Sequence, residues 1–140
     1  MNKKQKILFI CTGNSCRSQM AEGFMKSLAS KKFEAFSAGT SPSKVHPNAV
    51  IVMKEINIDI STHTSDSIDF YRDIGLDIII TVCDRAKKTC PAVLKSKNQF
   101  HWNIEDPFDG WNNRKELKKY RQVRDTINNK ILNLLDLLEE

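Results

Sequence analysis

Cys11 and Arg17 are separated by the five residues Thr12-Gly13-Asn14-Ser15-Cys16, and Ser18 follows. The apolar run Ile7-Leu8-Phe9-Ile10 precedes them, and a helical pattern begins near Gln19. A cysteine ending a buried strand, followed by an arginine at a helix start, outlines a nucleophile set in an anion-binding loop. Successive backbone N–H groups of such a loop and the N-terminus of the next helix can converge on one tetrahedral oxyanion. Gly13 and Asn14 are the residue types that tolerate the positive φ a tight ring requires. Arg17 adds a planar fork of donors. The same donors should stabilise a Cys11 thiolate. The Ser18 hydroxyl can hydrogen-bond the sulfur. Thr12, Gly13, Asn14, Ser15, Cys16, Arg17 and Ser18 are therefore the expected oxyanion-binding set, with Cys11 as nucleophile.

Such a loop needs a rigid frame. Lys6 to Cys11 reads as a central strand, because its four apolar residues run without alternation. Met20, Phe24 and Leu28 then recur at helical spacing. Phe33 to Ser37 is a second strand, and Pro47-Asn48 opens a helix carrying Val50, Met53 and Ile56, with Asn57 as its C-cap. Thr64 to Ser67 offers N-cap types ahead of a short helix containing Ile68 and Tyr71. Asp77 to Cys83 is the strongest strand pattern, Phe100 to Asn103 a short fourth, and Asn113 onward a long amphipathic helix. Strands separated by helices predict an α/β fold, one domain over residues 1–140, with a four-stranded parallel sheet. Ligands of such sheets bind at the carboxyl ends of the strands. Cys11, Cys83 and the loop holding Asp106 all belong to that edge.

Composition narrows the function classes. The 140 residues carry a formal charge of +5, with 40% hydrophobic and 28% charged residues, values ordinary for a soluble domain. The lysines are scattered and no basic stripe interleaved with aromatics occurs, so no nucleic-acid partner is expected. No apolar stretch approaches the roughly 20 residues that span a bilayer. The four-residue apolar run near the start is too short for a signal peptide. A cytoplasmic location without membrane contact is expected, and with it a monomer. Cysteines at 11, 16, 83 and 90 would there be reduced. Cys11 and Cys16 flank the loop and Cys83 and Cys90 are widely spaced, so zinc is a weak alternative to thiol chemistry.

The chain resembles the low-molecular-weight tyrosine phosphatase superfamily. Within it, Cys11 to Gly23 is similar to the loop of thioredoxin-coupled arsenate reductases. The likeness continues through Ser37-Ala38-Gly39, Pro47-Asn48-Ala49, Thr64-Ser65-Asp66, Thr81-Val82-Cys83, Cys90-Pro91, Asp106-Pro107 and Gln122-Val123-Arg124-Asp125. The resemblance implies arsenate as substrate, with phosphate or sulfate as analogues, in arsenic detoxification. It implies a relay in which Cys11 attacks arsenic, Cys83 attacks Cys11, and Cys90 attacks Cys83. Thioredoxin would then reduce the Cys83–Cys90 disulfide. Asp106 matches the family's general acid, and Asn14, Glu22, Ser37 and Asp66 match a potassium site of some reductases.

Three functions remain distinguishable at this point. A phosphatase needs one thiolate, Arg17 and Asp106, whereas reduction of arsenate needs two electrons that a thiol pair supplies. A non-catalytic oxyanion-binding module would need neither acid nor second thiol. The pair Cys83 and Cys90 favours reduction, and the polar segment 84–89 has no apolar anchor larger than alanine, so bringing the pair together should cost little. Phe108, after Asp106-Pro107, is a phosphatase-like feature. Cys16 is expected to be structural, and His46, His63 and His101 are expected in core or surface roles.

Overall fold

The computed structural model describes residues 3–83, 98–111 and 117–138. Cys90, the segment 84–89 and residues 113–116 of the expected long helix lie outside this set. Strand β1 (Gln5–Cys11) holds Ile7, Leu8, Phe9 and Ile10 with no exposed surface. Both faces of this strand are covered, which is why its apolar residues do not alternate. Helix α1 (Arg17–Ala29) leads to β2 (Phe33–Gly39), and helix α2 (Pro47–Lys54) follows. A 3-10 turn at Ile68–Tyr71, begun by the Ser67 hydroxyl accepting Asp69 N–H, precedes β3 (Ile78–Thr81). Strand β4 (Asn98–His101) and the 22-residue helix α3 (Leu117–Leu138) complete the described elements.

The strands lie in the order β2-β1-β3-β4 and every pairing is parallel. Cys11 stands beside Gly39, Ile10 beside Thr81 and Thr81 beside His101, so the four strands end on one edge. After β1 the chain goes to one side to form β2, then crosses to the other to form β3. The crevice at such a reversal is where α/β sheets bind ligands. It separates the end of β1, Cys11, from Cys83 just after β3.

Helix α1 packs on β1 and β2, while α3 packs on α1 and α2. Gly23 permits close helix packing, since a Cβ there would lie 2.8 Å from Ile60 Cγ2. Helix α3 buries Tyr120, Val123, Ile127, Ile131 and Leu134 along one stripe. It is tied to α2 by Arg124, whose guanidinium donates to Val52 O at 2.9 Å and to Glu55 at 2.9 Å.

Three local expectations need correction. Leu28, expected in the core, is 48% exposed because it sits in the last turn of α1, beyond the strands the helix covers. Ile56 lies past the end of α2 and is also exposed. The fourth strand begins at Asn98 and ends at His101, two residues earlier than the Phe100–Asn103 pattern suggests. Among the described residues, no helix is long and apolar enough to cross a membrane.

Candidate active site

The loop after β1 turns its carbonyls outward. Cys11 O accepts from Thr40 N, Thr12 O from Ser41 N, and Gly13 O from Ser43 N. Asn14 O accepts from the Gln19 side chain at 3.0 Å, Ser15 O from His46 N, and Cys16 O from Met20 N. Every carbonyl from residue 11 to 16 thus has a donor from the surrounding frame. The N–H side of the ring is left to face inward, as an anion nest requires. Asn14, at φ +50°, makes the tight turn, and its N–H donates to Cys11 Sγ at 3.2 Å.

Ser18 contributes a directed donor. Its Oγ accepts from Asn14 Nδ2 at 2.7 Å and lies 2.9 Å from Cys11 Sγ. With its oxygen serving the amide, its own O–H is free to donate to the sulfur. Asn14 is wholly buried; its amide also donates to Ser37 Oγ at 3.0 Å, and its Oδ1 accepts Asp66 N–H at 2.9 Å. Ser37 in turn donates to Glu22 Oε1, and Lys26 neutralises the other Glu22 oxygen. The loop asparagine is therefore fixed by a polar network running back through α1. Gly39 completes the support from below: a Cβ there would come within 2.5 Å of Thr12 O.

Arg17 is buried, with its Nη1 donating to Ile104 O at 3.0 Å and Val82 O at 3.4 Å. Its Nη2 lies 3.4 Å from Asp106 Oδ2. Backbone carbonyls thus aim the guanidinium, and the carboxylate at the mouth stays half exposed. A cavity of about 200 Å³ opens over the loop, bounded by Cys11, Arg17, Ser43, Asp106, Phe108 and Trp111. Larger hollows of about 480 and 760 Å³ lie elsewhere, but neither is lined by the nucleophile, so size does not mark the reacting centre.

The cysteines differ by environment. Burial pushes the Cys16 thiol far above its ordinary range, and Cys11 and Asp106 add to this against Arg17. Cys16 is held as a neutral thiol, consistent with a structural role. Cys83 is buried at the end of β3, its Sγ 3.3 Å from the Thr12 hydroxyl. A residue of the oxyanion loop thereby contacts the second thiol directly. Cys11 and Cys16 are free thiols.

Asn14, Glu22, Ser37 and Asp66 do gather in one place, though the Asp66 carboxylate accepts from Thr64 and Tyr71. Among the described residues, no group of three or more His, Cys, Asp or Glu side chains is arranged to hold a metal.

Residues 6–140 match the low molecular weight phosphotyrosine protein phosphatase family. The chain belongs to this family. Arsenate reductase 1 of Staphylococcus epidermidis is 45% identical over 125 residues, covering 89% of this chain and 91% of that protein. A solved arsenate reductase in its phosphate-binding state superposes with a TM-score of 0.82 at 36% identity, covering 94% of this chain and 97% of that one. A low molecular weight protein tyrosine phosphatase from T. tengcongensis also reaches a TM-score of 0.82, at 26% identity, with 95% and 99% covered. Both branches share the fold, so the distinction between them rests on side chains.

The structure brings Cys11, Arg17, Ser18, Asp106 and Cys83 to one edge of the sheet. Sequence reading missed Thr12 as a partner of Cys83, Gln19 and Ser43 as supports of the loop, and Trp111 and His46 at its rim. Apart from the Gln19–Asn14 bond, their contacts are long-range, spanning up to 74 residues between His46 and Tyr120, and no local spacing signals them.

Proposed function

We propose that this family member is a thioredoxin-coupled arsenate reductase acting in arsenic detoxification. The observation that carries the reading is Cys83, a second thiol hydrogen-bonded to the loop of the first, for which hydrolysis of a phosphate ester has no use. The names of the relatives support arsenate as the substrate.

The anion lies over the loop amides with Arg17 on its equatorial oxygens. Cys11 attacks As(V) and forms the S–As bond, while Asp106 protonates the departing oxygen, which leaves as water. Cys83 then attacks Cys11 Sγ. The S–As bond breaks, its electron pair stays on arsenic as As(III), and Cys11–Cys83 forms. Cys90 attacks Cys83, freeing the Cys11 thiolate, and a thioredoxin dithiol reduces the resulting Cys83–Cys90 disulfide. Asn14 and Ser18 donate to the sulfur of Cys11 before attack and when it is released.

The reading includes a monomer working in a thiol-reducing cytoplasm. It also includes potassium on the Asn14, Glu22, Ser37 and Asp66 cluster, whose oxygens are of the type a hard cation takes, with Lys26 competing for Glu22.

Mass spectrometry after one turnover without thioredoxin tests the relay. Wild type should carry Cys83–Cys90 with one arsenite released per chain. Cys83→Ser should release no arsenite in the absence of added thiol. Arsenite release by that variant at the wild-type rate would contradict the mechanism.

A second reading is favoured by Phe108 and Trp111, which give the cavity an aromatic wall beyond the anion. The same Cys11, Arg17 and Asp106 would hydrolyse aryl phosphate monoesters as a side activity. Cys11→Ser should abolish it and Cys90→Ser should leave it intact.

A further inference from the structure

We propose that His46 is a positioning residue that fixes the acid-bearing loop 106–111 against the oxyanion loop. His46 is wholly buried, although nothing in its sequence context marks it. Its Nδ1 accepts the backbone N–H of Asn48 at 3.0 Å, capping α2. A backbone N–H can only donate, so Nδ1 carries no proton and Nε2 does. The Nε2–H then donates to Gly110 O at 2.7 Å, and the Tyr120 hydroxyl lies 3.2 Å from the same nitrogen. On its other side, the backbone N–H of His46 donates to Ser15 O at 3.0 Å. One residue thereby bonds both loops that make the site.

The ring also orders the aromatic rim. It stacks on Trp111 at 5.0 Å and 15°, and meets the edge of Phe108 at 5.7 Å and 86°. The direct link between Asp106 and Arg17 is long, at 3.4 Å, and half exposed, so it holds the loop weakly. The 2.7 Å bond to Gly110, partly buried and made by a wholly buried ring, is the stronger constraint. Asp106 consequently sits where it does relative to Cys11 because His46 anchors the far end of its loop. The roles of Asp106 and Cys11 come from the proposed function; the anchoring does not depend on the substrate.

Two variants separate the cap from the anchor. His46→Asn keeps an N-cap acceptor but is too short to reach Gly110 O. His46→Gln carries an amide donor at about the reach of Nε2. In a Trp102→Phe background, where Trp111 is the sole tryptophan, acrylamide quenching reads loop position directly. His46→Asn should raise the quenching constant about twofold. It should also lower kcat for arsenate about tenfold or more, with KM within about threefold, because an acid contributes on the order of 100-fold or more. His46→Gln should restore most of both. With Asp106→Asn already present, adding His46→Asn should cost less than about twofold, since both changes remove one function.

Losses that multiply, or unchanged quenching in His46→Asn, would overturn the proposal. If wild type does not turn over arsenate, the functional reading fails separately. The quenching comparison and the same cycle on 4-nitrophenyl phosphate then decide the role of His46.

Discussion

At the scale of single residues, the site works by pre-arranged donors whose own acceptors are elsewhere satisfied. Arg17 shows this best. Its position depends on two backbone carbonyls, Ile104 O and Val82 O, that a point charge could not engage in the same way. Arg17→Lys should lower kcat/KM for arsenate by about 100-fold or more, the usual cost of losing an aimed donor to an oxyanion. Steady-state kinetics checks this, and a loss below about fivefold would mean that charge alone suffices. Cys16 and Cys83 make the complementary point. Both are buried, yet Cys16 lies within the loop and Cys83 meets it from the end of β3 at the Thr12 hydroxyl. In the proposed relay, position relative to the loop rather than residue type separates a packing thiol from a reacting one.

At the scale of elements, β1 and β2 build the floor of the site, and Gly39 is the point of closest approach. A methyl group at 39 would meet Thr12 O at 2.5 Å and Asn14 N at 3.0 Å, both backbone atoms that cannot swing aside. Gly39→Ala should destabilise the protein by roughly 1–3 kcal/mol. It should also weaken phosphate binding by displacing Asn14. Urea unfolding and calorimetry measure the two effects, and wild-type values for both would refute the close contact. The elements that sequence reading recovers well are those whose pattern is forced by burial. The continuous apolar runs of β1 and β3 and the three-and-four spacing of α3 are examples. Strand β4 is displaced from expectation because it is an edge strand with exposed Asn98 and Gln99, so its pattern carries little information. His46 was illegible for a different reason: its partners, Gly110 and Tyr120, are 64 and 74 residues away. The cysteine loop, by contrast, was legible because all its chemistry is local.

At the scale of the whole molecule, stability and the site share one polar network beneath the loop. His63 donates from Nδ1 to Gln19 Oε1 at 2.9 Å, and Gln19 holds Asn14 O and Thr64 O. Burial depresses the His63 pKa below its ordinary 6.5, and Lys26 adds to this, while Glu22 and Asp59 oppose it. The folded state therefore disfavours the imidazolium. Between pH 6.5 and the lower folded-state value, the unfolded chain binds a proton that the native protein does not, so stability falls as pH falls. Urea unfolding from pH 7.5 down to 5 should show this decline, at most about 1.4 kcal/mol per pH unit from one group. His63→Gln should flatten it; an unchanged slope would show that His63 is not the group responsible.

In the proposed relay, the second thiol converts a phosphatase-like anion site into a reductase. NADPH oxidation in the presence of thioredoxin and thioredoxin reductase, started by arsenate, measures it most directly. Wild type should consume one NADPH per arsenate reduced, and Cys83→Ser should consume none above background. Arsenate-independent consumption, or turnover in Cys83→Ser equal to wild type, would contradict the account.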